Sequence, residues 1–201
     1  MKKTNLLIIS LVLLFLLASC ASTKTVEMNY MDYIEENRDG FFLTGKTDYE
    51  VEAKMVSEPI HVYNRLELVD YDVADDNVSV ILKGTLGEEW VTKVSKVIST
   101  YTTPDDGELT EEFFTSHKDE YQTIKTKPTE NANYALFVPK NIILKVETAW
   151  GDTLYTNKSE VDHGNGDYLV CRNSNGEPDL TDVWVVNGAQ FVRNYDMSNA
   201  K

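Results

Sequence analysis

His163, with Asp162 beside it and Cys171 eight residues further on, is the place where a base and a nucleophile stand close in this chain. An imidazole activating that thiol is the opening of a Cys/His hydrolase, which further needs an orienting group and an oxyanion hole. Cys171, however, ends the run Tyr168-Leu169-Val170-Cys171, which has the composition of a core strand, and a buried free cysteine behaves as a small hydrophobe. A packed thiol is therefore expected, and no catalytic residue is assigned. Asn173, Asn175, Glu177, Asp179 and Asp182 are oxygen donors that could collect around calcium, as in a calcium-dependent adhesin-like domain. Placing Gly176 at the sixth position of an EF-hand loop puts Cys171 where a carboxylate must stand, so a strand-connecting turn is the default. His61 and His117 have no partner at metal-ligand spacing, and neither a metal nor a cofactor is assigned. Trp150-Gly151-Asp152 falls at the tip of an expected hairpin, so Trp150 joins Asp162 and His163 as a candidate for ligand binding.

The other cysteine has different chemistry. Leu17-Ala18-Ser19-Cys20 has the lipobox pattern of small residues before a cysteine, after the basic start Met1-Lys2-Lys3 and an apolar run, Leu6 to Leu17, broken only by Ser10. About twelve residues are too few to span roughly 30 Å of hydrocarbon, so residues 1–19 read as a lipoprotein signal peptide and Cys20 as the lipidation site. Two or three acyl chains, at about 0.8 kcal/mol per buried methylene, hold a domain durably at a membrane surface. Ala21 is not the aspartate that signals inner-membrane retention, so the expected address is the cell envelope, with the outer membrane favoured in a Gram-negative source.

Charge narrows the partners. The chain carries 19 basic and 33 acidic residues, and losing Lys2 and Lys3 leaves 17 against 33, a net charge near −16. Nucleic-acid binding needs a basic stripe that displaces counterions, and none is present. Anionic headgroups are repelled too, which leaves the lipid anchor as the membrane contact. The remaining partner class is an envelope protein or peptide. With Cys20 acylated, Cys171 has no cysteine to pair with, so the fold must rest on its apolar core; 42% hydrophobic residues and eleven tyrosines suffice for one.

The elements that must carry these residues are mostly extended. Residues 20–40 read as the lipidated cysteine, a linker and a short helix from Met28 to Asn37, with Met28, Met31 and Ile34 at helical spacing and Gly40 as a stop. Tyr49, Val51, Ala53 and Met55 alternate with polar residues, the period of a half-buried strand, and Val78 to Leu82 is a second strand. Trp90 then precedes Tyr101 by eleven residues with Val97-Ile98 between; Trp184 precedes Tyr195 by eleven with Phe191-Val192 between. Each set follows a strand and a Gly-Glu turn, so the chain contains an internal repeat. The β-branched residues Val91, Thr92, Val94, Val97, Ile98 and Thr100, and the Asn187-Gly188 dipeptide, favour strands after both tryptophans. The expectation is a mainly β, β-rich α+β fold of two related small β units in tandem: a first unit over 41–105, a connector with a short helix over 106–131, and a second unit over 132–201.

Gly166-Asp167-Tyr168-Leu169-Val170, then a polar turn, Val183-Trp184-Val185, Phe191 and Tyr195, resembles the PGDYG family of small bacterial and phage proteins. The resemblance covers about sixty residues at the C-terminus. Asn165 stands where the family name has proline, and Leu169 where it has glycine; the first copy lacks the Gly-Asp-aromatic opening. It implies a small β-rich module and no established reaction, so no catalytic residue follows from it. The sum of these readings is a membrane-anchored envelope lipoprotein acting as a non-enzymatic binding or interaction module, with a Cys171/His163 hydrolase and a calcium-dependent adhesin-like domain as the alternatives.

Overall fold

A computed structural model describes residues 24–200; the signal segment and Cys20 lie outside the described residues. The architecture is mainly β, in several sheets with four short α-helices among the described residues. No described helix is long and apolar enough to cross a membrane.

The centre of the C-terminal part is a four-stranded sheet of β2 (Phe42–Thr44), β10 (Asn133–Pro139), β13 (Gly166–Ser174) and β14 (Glu177–Val186), ordered β14-β13-β10-β2. Both of its faces are covered, which is why Tyr168 to Cys171 is an unbroken apolar run and not an alternating one. Leu169 and Cys171 face Leu136, Val138 and a three-stranded sheet of β1 (Val26–Asn29), β11 (Ile142–Glu147) and β12 (Thr153–Tyr155). Tyr168 and Val170 face Phe42, Phe191 and Tyr195. The Tyr168, Phe191 and Tyr195 rings stack in series, with centroid separations of 3.9 Å and 4.6 Å.

The other large sheet is five-stranded, in the order β7-β6-β3-β9-β8, from β3 (Glu50–Lys54), β6 (Ser79–Lys83), β7 (Glu89–Lys93), β8 (Tyr101–Thr102) and β9 (Gln122–Thr126). Val51, Ala53, Val80, Leu82 and Ile124 form its core face, under a short helix α3 (Glu111–Thr115) that contributes Phe114. A separate hairpin, β4 (Ile60–Asn64) with β5 (Val69–Val73), buries Val62 and Val73 against Val56 and Ile81.

Four expectations change. Both stretches after the tryptophans begin as strand, through Lys93 and Val186, and then turn helical: α2 spans Val94–Thr100 and α4 spans Gly188–Asn194. In the first, Val94, Val97 and Tyr101 fall three and four residues apart and all are buried. Burying one such side chain is worth about 1.5–3 kcal/mol, against a helix-propensity cost of at most about 0.7 kcal/mol per β-branched residue. In the second, Asn187-Gly188 ends a strand but starts a helix, because the Asn187 side chain accepts the Gln190 N–H as an N-cap. The N-terminal helix is the shorter α1 (Tyr30–Glu36), preceded by β1, which pairs in parallel with β11. The sheets also run across the expected unit boundaries: β2 pairs with β10, and β9, from the expected connector, pairs with β3 and β8. Strand partners distant in sequence leave no local signal, and these are of that kind.

One order of elements occurs twice. Hairpin β6–β7, helix α2 and Tyr101 in one sheet correspond to hairpin β13–β14, helix α4 and Tyr195 in the other. The two parts meet where α4 lies against the Gly84–Glu88 turn. Gln190 Nε2 donates to Glu88 Oε1 at 2.9 Å, Arg193 Nη1 donates to the Thr85 carbonyl at 2.7 Å, and Lys46 bridges to Tyr195. Glu88 is buried, and desolvation holds its carboxyl above the usual range.

Candidate functional site

Residues 156–165 join β12 to β13, and a polar network ties this loop down. Its hub is Asp167, 2% exposed, the second residue of β13. One carboxylate oxygen accepts from the Asn157 N–H at 2.6 Å. The other lies 2.7 Å from His163 Nδ1 and accepts the Gly188 N–H, at the first turn of α4, at 2.9 Å. A buried carboxylate with three donors is satisfied, and it complements the positive end of the helix.

The backbone around the hub requires glycine. Gly166 has φ +148°, and a Cβ there would stand 2.1 Å from the Val138 carbonyl oxygen; at Gly188 a Cβ would stand 1.7 Å from the Gly166 oxygen. The Gly-Asp pair therefore does two jobs: glycine lets the strand and helix backbones close in, and aspartate binds the exposed N–H groups of that junction.

His163 is 8% exposed. Its Nε2 lies 3.2 Å from the Ser159 carbonyl and 3.3 Å from Ser159 Oγ. Ser159, His163 and Asp167 thus stand in the order of a serine-hydrolase relay. The surroundings of the ring differ from such a relay. Nε2 is shared between the Ser159 carbonyl and its hydroxyl, while Asn187 Nδ2 lies 3.3 Å from Nδ1 and donates to Ser159 Oγ at 3.3 Å, so the serine oxygen is tied into its own loop. The hydrogen bond to Asp167 raises the His163 pKa above the ordinary value, against the opposing effect of burial. The arrangement is a clasp that favours the protonated ring.

The clasp stands between two concavities. On one side is a groove of about 1090 Å³, lined by His163, Gly166, Tyr168, the end of α1 and the outer face of α4. On the other is a smaller cavity of about 180 Å³, lined by Ser159, Asp167 and Asn187 together with Trp90 and residues of the β4–β5 hairpin.

The sequence candidates are dispersed. Trp150, 54% exposed at the β11–β12 hairpin tip, donates its indole N–H to Asp152 at 2.8 Å and lines an open surface with Tyr71 and Val91, away from His163. Asp162 accepts the Gly164 N–H of its own loop at 3.0 Å, and the carboxylate that orients His163 is Asp167. Cys171 is fully buried, and burial pushes its thiol pKa up to about 12. None of the His163 hydrogen bonds goes to it.

The oxygen donors after Cys171 are part of the β13–β14 hairpin. Asn173 Oδ1 accepts from Gly176, Asp179 Oδ1 accepts from Thr181, and Asp182 pairs with Arg172 at 2.9 Å. Among the described residues, no three His, Cys, Asp or Glu side chains gather as metal ligands. Asp167, Ser159 and Asn187 were missed from the sequence, although the four-residue step from His163 to Asp167 was readable. Compared with models of known families, with curated proteins and with solved structures, the chain matches none.

Proposed function

We propose that the protein is a non-enzymatic binding module, carried at the cell envelope by acylation of Cys20, whose large groove receives an apolar segment of a basic polypeptide. The observation that carries this reading is the groove's composition. Phe42, Leu136 and Tyr168 form an apolar floor, and Phe137 and Val192, 36% and 60% exposed, stand on its flanks. A concave apolar surface with a few polar groups is the ordinary form of a recognition site. Glu35, Glu36 and Asp39 line it together with Arg38 and Arg193, so the preference for a cationic partner comes from the chain's formal charge of −14 and not from the groove alone.

The Cys171/His163 hydrolase loses its support, because the thiol is buried and protonated and the imidazole is engaged elsewhere. The resemblance to the PGDYG family is compatible with a small module of this kind, since Gly166 and Tyr168 of the Gly-Asp-aromatic opening line the groove.

Selection of a displayed random peptide library against the full chain tests the reading. Enriched peptides should carry two or three apolar anchors with Lys or Arg nearby. Affinity should fall at least about tenfold, or about 1.4 kcal/mol, when Phe137→Glu and Val192→Glu are combined. Absence of enrichment, or enriched peptides that bind the double variant equally well, overturns it.

A further inference from the structure

The smaller cavity, behind the clasp, has a different character from the groove. Its volume of about 180 Å³ is room for roughly six waters, below the range of drug-sized pockets. Its lining is mixed: Trp90 and Leu154 are apolar, and Glu67, Lys158, Ser159 and Gln190 are polar.

Several of these groups have hydrogen-bonding capacity to spare. The Trp90 indole N–H and Gln190 Oε1 have no hydrogen-bond partner among the described residues, and neither is fully buried. Gln190 is held in place by its other end, through the bond from Nε2 to Glu88. Glu67 is fixed by Tyr71, whose hydroxyl donates to Oε2 at 2.9 Å. Pre-positioned groups lose little entropy when a ligand arrives.

We infer that this cavity binds a single neutral sugar ring. A pyranose has an apolar face of C–H groups, which suits an aromatic wall, and an edge of hydroxyls that both donate and accept, which suits a lining of amide, ammonium, indole and carboxylate. The Glu67 carboxylate in the lining repels an anion, and Lys158, which also pairs with Glu27, opposes a cation. The proposal is independent of the groove, since only Trp90 and Gln190 of the acceptor and donor set need be intact and neither lines it.

Saturation-transfer NMR on the full chain, with the methyl glycosides of glucose, galactose, mannose and N-acetylglucosamine at about 10 mM, reads the binding directly. At least one glycoside should show transfer concentrated on ring protons. Trp90→Phe keeps an aromatic ring and removes the N–H, and should weaken binding about threefold or more. Lys158→Ala, which also releases the Glu27 ion pair and the Tyr155 ring contact at the surface, should weaken it to a similar extent. No transfer to any of the four, or transfer unchanged in both variants, overturns the inference.

Discussion

The two copies of the repeat end alike and begin differently. Each runs from a hairpin into a seven-residue helix and a buried tyrosine, yet α2 starts at Lys93 with no side-chain cap, whereas α4 starts at Asn187 with one. Helix α2 is held by Val94 and Val97 in an apolar core. Helix α4 is held at its start by Asp167, Asn187 and, through Asp167, His163. The first copy has Val78-Ser79 where the second has Gly166-Asp167 at the head of its hairpin. This pair and the cap separate a copy that ends in an apolar-held helix from one that anchors a ten-residue loop between two concavities. Buried polar groups cost desolvation unless they are bonded; the first copy buries Glu88 in its turn, and the second buries Asp167, Asn187 and His163 around its loop.

The comparison breaks most sharply at the hub. Asp167→Ala removes the acceptor of three hydrogen bonds and leaves His163 buried without its counter-ion, so the loss of stability should be about 3–5 kcal/mol by chemical denaturation. Ser79→Ala, at the head of β6 and near the surface, should cost under about 1 kcal/mol. Equal losses from the two substitutions would refute the division between copies.

Acidity sharpens the same point with a smaller effect. The folded-state pKa of His163 lies above the ordinary value near 6.5. Its contribution is complete below that ordinary value and is lost as pH rises through the folded value, by about 1.4 kcal/mol for each pH interval between the two. Denaturation midpoints should therefore fall from pH 6 toward alkaline pH, with the slope reduced in His163→Gln. A wild-type profile that matches the variant's would remove the charged clasp. The smallest effect is the cap. Asn187→Ala should cost about 1 kcal/mol, whereas Lys93→Ala should stay within about 0.5 kcal/mol, both read from thermal unfolding.

How far these features were legible in the sequence depended on how local they are. The alternation of Tyr49, Val51, Ala53 and Met55, the apolar run from Tyr168 to Cys171 and the Trp150-Gly151 hairpin tip are set by neighbours in the chain, and all were readable. The α2 segment carried both signals at once, β-branched composition and apolar spacing; tertiary burial, which the sequence does not weigh, decided for the helix. The clasp was half legible. His163 attracted notice as a titratable group, but Asp167 gains its role from Asn157, ten residues back, and Gly188, twenty-one residues on, and only the folded chain brings these together.

The position of β1 has a mechanical consequence. It is a four-residue strand, laid parallel to β11 with the Val26 N–H donating to the Asn141 carbonyl at 2.9 Å, and it is the first described element of the chain. A pull from the direction of Cys20 would enter the globule at Val26 and run along the strand, so the cross-strand bonds would be sheared together instead of unzipped one by one. Drag on a domain held in that way would be borne first by the ladder as a unit, ahead of the α1 turn that lines the groove.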